Sequence, residues 1–194
     1  RTAFFQLGRM LWQTAINYAP MRAKAIYEYA AKPGDRIYDY SCGFGGRMLG
    51  CLASKNNYYY IGCEPNTDTF EHLNELGTAI AAATGRKGRY ELHNCCSEDL
   101  DLGEETIDFA FSCPPFFAFE RYCVEDTQRY NRFKDYDTWL ENYVRPTIRN
   151  IYMALKPGCK MATDILHYAW RNQDYHLVTD RKRIAAEKGF TVVT

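Results

Sequence analysis

Three short stretches hold the residues whose types and spacing could do chemistry. DYSCGFGGR, from Asp39 to Arg47, sets an acid ahead of Gly43, Gly45 and Gly46; IGCEPN ends an apolar run on Glu64 and Pro65; SCPPFF, from Ser112 to Phe117, ends another on a double proline and aromatics. Glycines directly after a strand allow a ligand to rest against bare peptide backbone. A phosphate loop of the Walker type would continue with Lys and Ser or Thr, and a dinucleotide loop would carry a third glycine, whereas this chain has Arg47 and Met48 there. A carboxylate at Glu64 can accept both hydroxyls of a ribose. The combination favours a nucleoside ligand without a pyrophosphate. Each piece also has a plainer reading: a tight turn, a solvated strand-end acid, and Asp39 as a helix cap.

These residues need elements to position them, and the pattern predicts alternating strands and helices. Pro20 opens a helix that Lys32-Pro33-Gly34-Asp35 ends. Strands are predicted at 36–40, 58–63, 90–95, 107–113, 159–166 and 190–194, and helices at 47–54, 66–83 with Asn66 as cap, 136–155 and 175–188. Such alternation implies a mostly parallel α/β sheet with helices on both faces, in which ligands bind at the carboxyl ends of the strands. All three chemical stretches fall at such ends.

The same residues resemble the S-adenosylmethionine-dependent methyltransferases of Rossmann-like fold, and among them the amino-methylating DNA enzymes that act on adenine N6 or cytosine N4. DYSCGFGGR resembles the cofactor loop, which makes Asp39, Cys42, Gly43, Phe44 and Gly45 candidate contacts to S-adenosyl-L-methionine. EPN resembles the ribose-binding acid, on Glu64 and Pro65, and CSED (96–99) implies adenine contacts from Ser97 and Glu98. Residues 17–30 resemble the helix that closes over the methionine end. CPPF resembles the catalytic tetrapeptide, with Cys113, Pro114, Pro115 and Phe116 as candidate catalytic residues. In that family the first side chain and the first proline's carbonyl accept hydrogen bonds from the target amine, while an aromatic stacks on a base flipped out of the duplex.

Cys113 departs from the pattern, because a thiol is a weaker acceptor than carboxylate, amide or hydroxyl. Three outcomes stay open: a slow enzyme using Pro114 and Cys113, a different target atom, or a lost active residue. Ser112 is one residue early, on the opposite strand face. The implied partner is DNA, with RNA or a small-molecule amine as alternatives, and a catalytically silent cofactor- and nucleic-acid-binding module as another. Arg121, Arg129, Arg132 and Lys134, interleaved with Tyr122, Tyr130 and Phe133, suit phosphate contacts and stacking or, equally, a lid over the cofactor.

With 194 residues and 46% hydrophobic content the chain reads as one domain, with N-terminal cofactor-closing helices over 1–35 and the core over 36–194. The expected final strand of the family's sheet is missing, and recognition elements are expected beyond the chain ends of a longer product. A formal net charge of zero argues against strong nonspecific DNA binding. Eight cysteines without a CxxC pair, and histidines 72, 93, 167 and 176 away from ligand spacing, point to a reducing, intracellular (cytoplasmic) setting with no metal site. No membrane segment is expected. The resemblance implies a prokaryotic or viral context; oligomeric state is not legible.

Overall fold

Proline has a preset φ and no N–H to leave unsatisfied, and Pro20 accordingly opens α1 (Pro20–Ala30). The chain then enters β1 (Arg36–Asp39), α2 (Gly46–Leu52) and β2 (Tyr59–Cys63). The Asn66 side chain accepts from the Thr69 amide at 2.8 Å to start α3 (Thr67–Thr84), and Gly85 in the left-handed region ends it. β3 (Tyr90–His93), β4 (Ile107–Ser112), α4 (Tyr136–Trp139), a π-helical turn (Leu140–Val144), α5 (Arg145–Ala154) and β5 (Leu155–Thr163) follow. A short antiparallel hairpin of β6 (Tyr168–Trp170) and β7 (Gln173–Tyr175) precedes α6 (Leu177–Lys188). The structure, a computed structural model, describes residues 17–117, 126, 132–170 and 173–193.

All pairings in the main sheet are parallel, in the order β3-β2-β1-β4-β5. The chain reverses direction of travel across the sheet between β1 and β4, so a crevice opens beyond their carboxyl ends. Tyr27 of α1 is fully buried edge-on against Phe109 and Phe111 of β4, which anchors the helix beside that crevice. On the other side an aromatic cluster of Phe117, Phe133, Trp139 and Tyr143 packs with Tyr175, Leu177 and Ile184.

Three expectations change. The segment 190–193 forms no strand: Phe190 instead packs edge-on against Tyr152 at 5.1 Å, just after Gly189 ends α6. The final sheet strand starts at Leu155 rather than 159, because Leu155 already pairs with Ile107. Lys156, Pro157 and Gly158 then bulge outward before the register resumes at Phe109 and Lys160, a proline that an edge strand tolerates. The helix expected over 136–155 is interrupted by the π-turn, which swings Tyr143 toward the crevice. Among the described residues no helix is long and apolar enough to cross a membrane.

Beneath the crevice lies a buried polar knot. Asp39, with no exposed surface, accepts from Arg47 Nε (2.8 Å), Tyr60 Oη (2.8 Å), Ser112 Oγ (2.7 Å) and the Ser41 amide (3.3 Å). The Arg47 guanidinium also donates to the Ser41 carbonyl. One carboxylate thereby ties β1, β2, β4 and α2 together. Arg47→Met leaves that charge buried without its cation and is expected to destabilise the fold by about 3–5 kcal/mol in urea unfolding. Adding Asp39→Asn should recover part of the loss; additive losses in the double variant would show that the pair is not coupled.

Candidate active site

The crevice is a cavity of about 530 Å³, a size suited to a small organic ligand. Its wall includes Cys42, Gly43 and Phe44 from the glycine loop, Glu64 and Pro65 after β2, Ser97 and Glu98 after β3, and Cys113, Pro114, Pro115 and Phe116 after β4. Eleven of the thirteen sequence-predicted site residues thus meet around one space. Asp39 and Gly45 are not among the residues that line it. Asp39 is consumed by the buried knot, and a Cβ on Gly45 would come within 2.6 Å of Leu76 Cδ2 and 2.9 Å of Leu73 Cδ2.

The glycines answer to different neighbours. At Gly43, with φ of +56°, nothing lies within 4 Å of an added Cβ, so this stretch of backbone borders open space in the cavity. At Gly46 an added Cβ would meet the Tyr18 carbonyl oxygen at 2.0 Å. The segment ahead of α1 is therefore clasped against the loop: Asn17 Nδ2 donates to the Phe44 carbonyl (3.1 Å), while Asn17 Oδ1 accepts from the Gly46 amide (2.9 Å). Cys42 turns its thiol onto Gly62 in β2, where a Cβ would approach the sulfur to 2.2 Å. Phe44 stands at the rim, 45% exposed.

Glu64 is fixed by two backbone donors. Its Oε2 accepts from the Gly43 amide at 3.1 Å and its Oε1 from the Asn66 amide at 3.0 Å. Each carboxylate oxygen has a second lone-pair site for another donor. Burial pushes the group up to about 7, against the lowering effect of those two amides. Glu98 is likewise pushed up to about 7 by burial, partly offset by its own backbone amide and by Arg132. The Ser97 hydroxyl is engaged with Thr147 Oγ1 at 3.1 Å, on α5.

Of the basic and aromatic stretch expected to contact DNA, only Arg132, Phe133 and Lys134 fall among the described residues. Arg132 Nη1 donates to Glu98 Oε1 (2.8 Å) and Asp99 Oδ2 (3.2 Å), and Phe133 is buried in the cavity wall. Arg132 is thus already paired with two acids, and Phe133 faces the cavity. Arg121, Tyr122, Arg129 and Tyr130 lie outside the described residues. Cys96, Glu98 and Asp99 bring ligand-type atoms within 4.8 Å of one another, but Arg132 already neutralises the two acids.

Sequence reasoning passed over Tyr18, Arg22 and Asp164, which also line the cavity. Tyr18 Oη donates to Asp164 Oδ2 at 2.8 Å, joining α1's entry to the end of β5, and Arg22 Nη1 lies 3.9 Å from the same oxygen. Ser112 points into the buried knot, as its place on the opposite strand face implied. Pro33-Gly34-Asp35 marked the end of α1 in the sequence, but nothing local marked Asp164 as a neighbour of Tyr18.

No protein-family model matches the chain, and no curated protein matches it. Solved structures do. The fold is similar to that of a possible exported protein from Bordetella parapertussis, with TM-score 0.60 and 17% identity over 89% of this chain and 60% of that one. It is similar to a TehB-like SAM-dependent methyltransferase from Corynebacterium glutamicum, with TM-score 0.55 and 15% identity over 97% of this chain and 82% of that one. It is also similar to a geranyl diphosphate C-methyltransferase from Streptomyces coelicolor, with TM-score 0.50 and 13% identity over 73% of this chain and 43% of that one. The chain spans 60% of the length of the first of these and less than half of the last. The parallel five-stranded sheet and its helices have the Rossmann-like fold found in S-adenosylmethionine-dependent methyltransferases.

Proposed function

We propose that this chain is an S-adenosylmethionine-dependent methyltransferase whose target is the exocyclic amine of a nucleobase in DNA. The observation that carries the reading is the convergence of Glu64, the open backbone at Gly43, and the Cys113-Pro114-Pro115-Phe116 turn on one cavity. When bound, the cofactor supplies an electrophilic methyl group. Glu64 would hold its ribose hydroxyls, and the wall at Ser97 and Glu98 its adenine. The bare Gly43 backbone leaves room for close approach, and the carboxylate retains acceptor sites, so the residues fit the group.

The chain's own contribution to transfer is positional. An aromatic amine is a poor nucleophile because its lone pair is delocalised into the ring, and a hydrogen-bond acceptor that holds the nitrogen pyramidal offsets this. The second proline rigidifies the turn that presents the Pro114 carbonyl. Phe116 offers a face on which a flipped base stacks. Holding the reacting atoms in line can supply a large share of the acceleration without a strong base.

The decisive experiment incubates the full-length protein with the cofactor and duplex DNA, RNA or small amines, then identifies the methylated nucleoside by mass spectrometry. 4-Methylcytosine or 6-methyladenine from DNA is the expected result. Transfer only to RNA or a small amine overturns the DNA assignment, and tight cofactor binding without any transfer supports the silent module that Cys113 suggests. Phe116→Ala should lower turnover at least about tenfold through lost stacking, with S-adenosylhomocysteine affinity unchanged. Glu64→Ala should weaken that affinity by about tenfold to a hundredfold, the worth of hydrogen bonds to a charged group.

The acid also sets a pH dependence. With Glu64 protonating near 7, affinity for S-adenosylhomocysteine should rise by about tenfold from pH 6 to pH 8, as the carboxylate that accepts from the ribose becomes ionised. Glu64→Gln should flatten most of that rise in calorimetric titrations. A rise of equal size in the variant would assign the titration to Glu98 instead.

A further inference from the structure

Cys113 leaves the turn without a good side-chain acceptor at its first position, yet the neighbouring strand carries one. β4 and β5 run parallel with Ser112 paired to Thr163, and the Asp164 amide donates to the Ser112 carbonyl at 3.0 Å. Cys113 and Asp164 are the residues that follow this last pair, and both line the cavity with Pro114 and Phe116. Side chains one step past Ser112 and Thr163 leave from the face opposite to theirs. Ser112 turns to Asp39 and Thr163 to Tyr40, whereas Asp164 reaches Tyr18 at the mouth of the cavity.

The Asp164 side chain is 44% exposed and divided in its duties. Oδ2 accepts from Tyr18 Oη at 2.8 Å and faces Arg22 Nη1 at 3.9 Å, while Oδ1 makes no hydrogen bond among the described residues. Burial and Asp164 push the Tyr18 phenol up to about 12, so it stays a donor and holds the carboxylate in one orientation.

We propose that Asp164 is a catalytic residue that supplies, from the adjacent strand, the acceptor missing at Cys113; the inference rests on the methyltransferase reading above. Oδ1 accepts one N–H of the target amine and aims the nitrogen lone pair at the methyl carbon. As the nitrogen–carbon bond forms, the carbon–sulfur bond breaks and its electron pair stays on sulfur. The nitrogen then carries an extra proton, which passes to Asp164 Oδ1 and on to solvent through the exposed edge of the side chain. Tyr18 is a positioning residue, acting only through Oδ2.

The test uses the full-length protein with Asp164→Asn, Asp164→Ala and the double variant Asp164→Ala with Cys113→Asp. Single-turnover transfer should fall about a hundredfold or more in both single variants, within the usual range for a positioned proton acceptor, while S-adenosylhomocysteine affinity stays within about twofold. The double variant should regain at least about tenfold, since it returns a carboxylate to the turn. An independent readout needs no methyl acceptor: iodoacetamide should alkylate Cys113 several-fold faster in Asp164→Asn, because the neighbouring carboxylate disfavours the thiolate. Wild-type transfer rates in Asp164→Ala, absence of rescue, or unchanged Cys113 alkylation would each overturn the inference. If faster alkylation is seen but wild-type protein methylates nothing, the juxtaposition holds and it is the methyltransferase reading that fails.

Discussion

The cavity depends first on a carboxylate that never touches it. Asp39, at the end of β1, sits under the glycine loop with four donors around it, drawn from α2, β2, β4 and the loop that follows β1 itself. Removing a charge from water is expensive, and only a full set of hydrogen bonds and a countercharge make it tolerable. That requirement specifies where β1, β2, β4 and α2 must lie relative to one another. The loop after β1 inherits its path from this knot, and the open backbone at Gly43 follows from the path. The glycines divide accordingly between two uses: Gly45 and Gly46 admit other parts of the protein, and Gly43 faces the cavity.

Glu64 and Glu98 occupy the intermediate regime between buried knot and open solvent. Both bind a proton more tightly in the folded chain than in the unfolded one. Their contribution to stability is therefore present below the unfolded carboxylate value and is lost as pH rises to about 7. A partner that donates hydrogen bonds to the ionised acid offsets that loss. Arg132 already does this for Glu98.

The local features of the fold were legible because their causes are local. Asn66 followed by Thr69 makes its own cap, Pro20 opens its own helix, and glycines mark their own turns. The cavity wall was legible too, since strand ends that carry Glu64 and Pro114 must meet in a parallel sheet. What stayed hidden depends on partners distant in sequence. Asp39 and Glu64 are both acids at strand ends, and only the position of Arg47, Tyr60 and Ser112 around the first draws it into the buried knot, while the second lines the cavity. The bulge at Pro157 misled the strand boundary because a Lys-Pro-Gly turn reads as a stop, whereas the pairing of Leu155 with Ile107 carries the strand through it. The absent strand at 190–193 has the opposite cause: a β-branched run reads as extended, but Phe190 is drawn onto Tyr152.

Cys113 shows why a motif is a statement about space before it is one about sequence. An amine needs an acceptor at a particular point, and a parallel sheet offers that point to the ends of two adjacent strands. The hydrogen bond from the Asp164 amide to the Ser112 carbonyl fixes their relative height, and the Tyr18 hydroxyl fixes the carboxylate. A thiol at the tip of β4 is then compatible with transfer, provided that the tip of β5 holds the acid. The N-terminal segment that presents Tyr18 is itself clasped by Asn17 to Phe44 and Gly46. The same contacts that hold the start of α1 against the glycine loop thus also place the Tyr18 hydroxyl on Asp164, so that one clasp sets both the loop and the carboxylate.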